Sequence, residues 1–176
     1  MIHHTSALLK RLLLPVLALS VVAFIGSGCS LIDKATKSET ARANVGDCIK
    51  VNKASDTDAD TETIDCASDD AIYKVAKTSD AQISCPSQAY STYTETLGNS
   101  TSAYLCLVPN LKEGKCYKDE PSNIVPIACT DPGATFKITK KVDGQEDENL
   151  CAEADNQYMT FPDPKLTYCM QEPPAQ

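Results

Sequence analysis

The chain has 176 residues, room for one ordinary domain or two very small ones. Residues 29–176 carry 14 basic and 24 acidic side chains, a net charge of −10. That balance opposes binding nucleic acid, whose phosphates call for Lys and Arg, and opposes lying on anionic lipid through a basic face. The only histidines are His3 and His4, so a chain trimmed at its N-terminus has none, which excludes Ser-His-Asp, Cys-His and His-ligated metal chemistry.

In chain order, Lys10 and Arg11 precede an apolar run over residues 12–25, then Gly26, Ser27, Gly28 and Cys29. This three-part layout predicts a secretory signal over 1–28. The run is shorter than the roughly 20 residues a spanning helix needs. Small residues directly before a cysteine resemble a bacterial lipobox, with Gly26 standing where a branched residue is usual. Cys29 is therefore the expected lipidation site, anchoring the protein by acyl chains to the outer face of the cytoplasmic membrane. Residues 33–44 hold no large apolar side chain, so 29–44 is expected to be the lipidated Cys and a flexible tether.

Residues 48–51 (CIKV) alternate and predict a strand. Residues 52–62 read as a long polar turn, and 63–66 as a returning strand. Residues 71–76 (AIYKVA) predict a third strand, with Lys74 on one side and Tyr73 and Val75 on the other. Pro86 suits the first turn of a helix, and Cys85, Ala89 and Tyr93 then fall at i, i+4 and i+8. Gly98-Asn99-Ser100 would stop that helix, and 103–108 predict a last strand.

The order then repeats. Cys66 opens CASDDAIYKVAK and Cys129 opens CTDPGATFKITK. Ala71/Ala134, Tyr73/Phe136, Lys74/Lys137, Val75/Ile138 and Lys77/Lys140 correspond without a gap. Each set begins Gly-x-Cys, at Gly46 and Gly114, and each ends in an aromatic-flanked strand bearing Cys106 or Cys169. In the second copy Asp147 is an expected N-cap, with Cys151, Ala154 and Tyr158 at i, i+3 and i+7. The expected organisation is repeat units over 45–108 and 113–170 with a polar tail at 171–176. The expected fold class is α+β, two similar small disulfide-stapled units of order β-β-β-α-β, packed together.

Apart from Cys29 there are eight cysteines and no CxxC motif. An even count in an exported chain reads as disulfides. Units of this size bury too little apolar surface to be comfortably stable alone. The repeat favours pairing within each unit, and the simplest pattern is sequential: Cys48–Cys66, Cys85–Cys106, Cys116–Cys129 and Cys151–Cys169.

The lipidated start, Val45-Gly46-Asp47-Cys48, the Cys66-x6-Tyr73-Lys74-Val75 block, Cys85-Pro86, Leu105-Cys106-Leu107 and Gly114-Lys115-Cys116 resemble LppU-type actinobacterial lipoproteins, including mycobacterial ones. The Gly-Asp-Cys opening is also similar to the exported actinobacterial "septum formation" domains. The resemblance implies a membrane-anchored exported protein and implies no catalytic activity, substrate or cofactor.

Candidate chemistry is sparse. Asp56, Asp58 and Asp60 start like a calcium loop, but Thr61 replaces the turn Gly and Ala67 sits where a bidentate Glu belongs. These remain weak metal candidates, and a solvated acidic hairpin tip is the plainer reading. Residues 145–148 (QEDE) suit a helix N-terminus. Lys74 and Lys137 fall on the wet face of a strand, or form equivalent cations for an anionic wall component. Tyr73, Tyr90, Tyr93, Tyr104, Tyr117, Tyr158 and Tyr168 are expected to complete the core, with a ligand-binding line of rings as the alternative. No catalytic residue and no cofactor are expected. The expected function is a non-catalytic binding module of the cell envelope. Its partners would be the membrane through Cys29 and an envelope protein or cell-wall component, with no nucleic acid. The alternatives are a small-ligand or metal carrier using the groove between the units, and then an enzyme.

Overall fold

Alternating apolar side chains and β-branched runs dominate the chain after residue 45, and the backbone follows them into strands. The structure is a computed structural model that describes residues 37–54 and 59–173; residues 37–176 belong to one compact unit. The first half holds β1 (Cys48–Lys53), β2 (Asp60–Ile64), β3 (Tyr73–Ser79), β4 (Ser91–Leu97) and β5 (Ser100–Pro109). The second holds β6 (Cys116–Glu120), β7 (Asn123–Ile127), β8 (Phe136–Asp143), β9 (Gln157–Pro162) and β10 (Lys165–Gln171). Each half is one antiparallel five-stranded sheet, ordered β2-β1-β3-β5-β4 and β7-β6-β8-β10-β9. Strand for strand, the two orders are the same.

The expected α+β class is overturned. Among the described residues the only helical turns are two three-residue 3-10 segments, Thr40–Arg42 and Glu148–Leu150. The helix expected from Cys85, Ala89 and Tyr93 is instead a loop leading into β4. The stretch Ser-Thr-Tyr-Thr-Glu-Thr-Leu places β-branched Thr at every second position, a strand pattern that outweighs three helically spaced side chains. Gly98-Asn99 does not stop a helix. It is the two-residue turn of the β4–β5 hairpin, where Leu97 pairs with Ser100 and Gly98 takes a φ of 63°. In the second half Asp147 does cap, accepting a hydrogen bond from the Asn149 amide, but the turn ends at Cys151, whose backbone is extended. Tyr158 lies in β9.

Residues opposite one another in an antiparallel ladder share a face. Register therefore puts Ile49, Tyr73, Val75, Leu105 and Leu107 on one face of the first sheet. Tyr117, Phe136, Ile138, Leu166, Tyr168 and Met170 share the matching face of the second. All eleven belong to one continuous core, so the halves are joined by burial. Tyrosines stitch them further. The Tyr90 hydroxyl donates to Asp163 O at 2.6 Å and accepts from Asp163 N at 3.1 Å, while its ring meets Phe161 edge-on at 5.4 Å. The Tyr168 hydroxyl accepts from Leu111 N at 3.0 Å and donates to Pro109 O at 2.9 Å.

The two halves agree in detail. Gly46 N bonds Val75 O and Gly114 N bonds Ile138 O; Val75 N bonds Asp47 O and Ile138 N bonds Lys115 O. Each half carries a β-bulge at the same place. Ala76 is skipped between Val75↔Leu107 and Lys77↔Cys106, and Thr139 is skipped between Ile138↔Met170 and Lys140↔Cys169. Four disulfides are present, each joining a cysteine to the next in sequence. Cys48–Cys66 and Cys116–Cys129 span Cα distances of 5.1 and 5.0 Å. Cys85–Cys106 and Cys151–Cys169 span 5.7 and 5.3 Å.

The correspondence begins earlier than expected. Residues 37–44, assigned to the tether, are a strap laid over the apolar face of the first sheet. Ser38 N reaches the Glu95 carboxylate, Thr61 Oγ1 bonds Thr40 Oγ1, and Thr40, Ala41 and Ala43 are buried. Small side chains suffice here because a strap needs only to fill a shallow groove. In the second half the linker does the same work, with Leu111 fully buried and the Lys112 amide bonded to Tyr117 Oη at 2.9 Å. Gln171, placed in a polar tail by sequence, is the last residue of β10. The segments expected to be the signal and Cys29 lie outside the described residues, as do 174–176.

Candidate functional site

The sequence candidates scatter. Asp60 is exposed at the start of β2, and Asp56 and Asp58 lie outside the described residues. Asp147 serves its own turn, and its bond to Asn149 lowers its pKa. Tyr73, Tyr90, Tyr117 and Tyr168 are buried, while Tyr158 is half exposed. Burial raises the Tyr73 and Tyr117 phenols and pushes Tyr168 furthest. Tyr73, Tyr90, Tyr117 and Tyr168 are core members, Tyr93 and Tyr104 pack against the core, and Tyr158 lies at the surface.

The constellation missed by sequence reasoning sits where the halves meet. A cleft of about 390 Å³ is lined by Asp69 from the first half and by Lys115, Tyr117, Pro126, Ile127 and the Cys116–Cys129 bond from the second. This is the small end of the range for ligand sites. Lys115 donates to Asp69 at 2.9 Å, and Lys112 lies 3.4 Å from the same carboxylate while also donating to Ser68 O at 2.8 Å. Two lysines thus share one acid across the seam. The signal was present as Gly-Lys-Cys after a short linker, but the partner, Asp69, lies 46 residues away.

The Lys115 hydrogen bond, then its charge, lowers the Asp69 pKa; the same bond raises that of Lys115. The carboxylate's contribution to stability is therefore present above its unfolded value, 3.8, and is lost as pH falls through the lower folded value. Both groups are exposed, so the effect is small and screened by salt. Expected result: Asp69→Asn is slightly less stable than the parent in urea at pH 7, and the two curves converge as the pH falls below 3.8 and through the lowered folded value. A gap that persists there would assign Asp69 a different role.

Cys151, Asp155 and Cys169 offer donor atoms within 4.8 Å of one another. The two sulfurs are bonded to each other, and metal ligation by Cys requires thiolates. The Asp155 carboxylate accepts from Thr139 Oγ1 at 2.7 Å and from Ala152 N at 2.9 Å, which makes it a loop brace. Comparison with protein families, characterised proteins and solved structures finds no match for the chain.

Proposed function

We propose that the protein is an exported lipoprotein, held by acyl chains on Cys29 at the outer face of the cytoplasmic membrane, whose body is a non-catalytic binding module of the cell envelope. The observation that carries the reading is the set of four disulfides in a chain that begins with a charged, apolar and small-residue leader ending in Cys29. Disulfides of this density persist in oxidising compartments. Several ionisable groups have structural partners: Asp155 braces a loop, Asp147 caps a turn and the Tyr168 phenol bonds the backbone.

Metabolic labelling with an alkyne fatty acid tests the anchor. The parent chain should take up label and partition into membranes, and Cys29→Ala should do neither. An unlabelled parent overturns the reading. A second reading, a carrier of a small ligand, is favoured by the cleft at Asp69 and Lys115.

A further inference from the structure

The repeat supplies an internal control for its own disulfides. Each bond joins a buried cysteine (Cys48, Cys106, Cys116 or Cys169) to a half-buried one. Three of the half-buried ends are guarded. Cys66 lies in a turn that the linker ties down: Asn110 Nδ2 donates to Cys66 O at 3.1 Å and to Ala71 O at 2.9 Å, and Lys112 Nζ donates to Ala67 O and Ser68 O. Cys85 packs against the core. The Cys151 and Cys169 sulfurs lie within 4.8 Å of the Asp155 carboxylate, whose charge opposes an incoming anion.

The Cys116–Cys129 bond is placed differently, because both its residues line the cleft of about 390 Å³. Cys129 Sγ lies 4.0 Å from Gly114 O, whereas the matched Cys66 Sγ lies 3.6 Å from Gly46 O. The neighbouring charge is also reversed. Gly46-Asp47-Cys48 carries an acid where Gly114-Lys115-Cys116 carries a base. Lys115 lines the cleft and shares Asp69 with Lys112, so two ammonium groups against one carboxylate leave one net positive charge there. A nearby cation favours thiolate over thiol, and a thiolate of low pKa leaves faster. This bond also closes the shortest loop, 13 positions, so its opening costs the least in chain entropy.

We propose that Cys116–Cys129 is a thiol–disulfide exchange site, opened by a dithiol whose thiolate enters the cleft, while the other three bonds are structural. Exposed disulfides are the exchangeable ones in general. The attack falls on Cys129 Sγ, since Cys116 is only 2% exposed. A bond forms between the dithiol sulfur and Cys129, the bond to Cys116 breaks, and Cys116 leaves as a thiolate next in sequence to Lys115. The second sulfur of the dithiol, as thiolate, then attacks the first and displaces Cys129. The dithiol ends as a disulfide. Its two electrons pass to the protein, and its two protons end on Cys116 and Cys129. The inference goes beyond the reading of the chain as an envelope module and stands whether or not Cys29 is acylated.

The test uses the full oxidised chain in neutral detergent, with any thiol at Cys29 first blocked by N-ethylmaleimide. Limiting dithiothreitol, an iodoacetamide quench and peptide mass mapping read the order of opening. Cys116 and Cys129 should be alkylated at least about tenfold faster than any other cysteine, and the singly opened chain should keep a cooperative melt. Glutathione should add at Cys129 and leave Cys116 free. Lys115→Asp, which copies the matched residue of the first half, should slow attack by anionic mercaptoacetate at least about threefold more than attack by cationic cysteamine. A cleft merely loosened by the substitution would instead speed both thiols. Earlier opening of another bond, simultaneous opening of all four, a glutathione adduct on Cys116, or an equal change toward the two charged thiols overturns the proposal.

Discussion

Reduction of all four disulfides is expected to unfold the chain at 25 °C. The bonds close loops of 18, 21, 13 and 18 positions, and on the chain-entropy model each is worth about 3 kcal/mol. Their combined effect approaches the whole stability of an ordinary domain, about 5–15 kcal/mol. Nothing else compensates: each five-stranded half is small, and the apolar faces form only one modest core. Under excess thiol the β signal in circular dichroism and the cooperative melt should both disappear. Removing one bond, as Cys85→Ala/Cys106→Ala, should cost about 3 kcal/mol and lower Tm by roughly 10 °C. A reduced chain that still melts cooperatively would show that packing alone holds the sheets.

Tyr168→Phe should be the most damaging loss of a single atom. The phenol lies in the fully buried part of the core and satisfies two linker groups, Leu111 N and Pro109 O. Phe keeps the ring and leaves both backbone groups without their partner. An unsatisfied buried group costs about 1–3 kcal/mol, so the pair should cost about 2–5 kcal/mol in urea unfolding. The substitution also has a pH signature. Burial, partly offset by the hydrogen bond from Leu111, raises the Tyr168 pKa well above 10.0. Above that value the unfolded chain binds fewer protons than the native one, so stability falls as pH rises. Tyr73, Tyr90 and Tyr117 are raised too, chiefly by burial. The parent should therefore lose stability steeply above about pH 10, and Tyr168→Phe should show a shallower alkaline limb. An unchanged limb would mean that the phenol ionises without opening the core.

The repeat, the sequential cysteine pairs as the simplest pattern, and the side taken by Tyr73 and Val75 could be read from residue order, because cysteine spacing and period-two alternation are local signals. The strands expected at 48–51 and 103–108 were legible for the same reason and fall inside the observed Cys48–Lys53 and Ser100–Pro109. The helices were misread where local signals conflict. Cys85, Ala89 and Tyr93 fit a helical stripe, but Thr92, Thr94 and Thr96 favour extended backbone, and pairing with β5 decides the matter. The strap at 37–44 was illegible because its buried residues are Thr and Ala, whose burial depends on what lies beneath them. The Asp69–Lys115 seam and the two bulges were likewise hidden, since both arise from pairing between distant segments.

If the chain is anchored at Cys29 as proposed, the docked strap bears on how much of it remains free as a leash. Residues that looked like slack rope are instead held against the first sheet, and the Lys37–Asp80 contact at 2.6 Å fixes their first described residue. On the proposed anchoring at Cys29, the docking of Thr40 and its neighbours makes the free length of the leash a property of the folded domain.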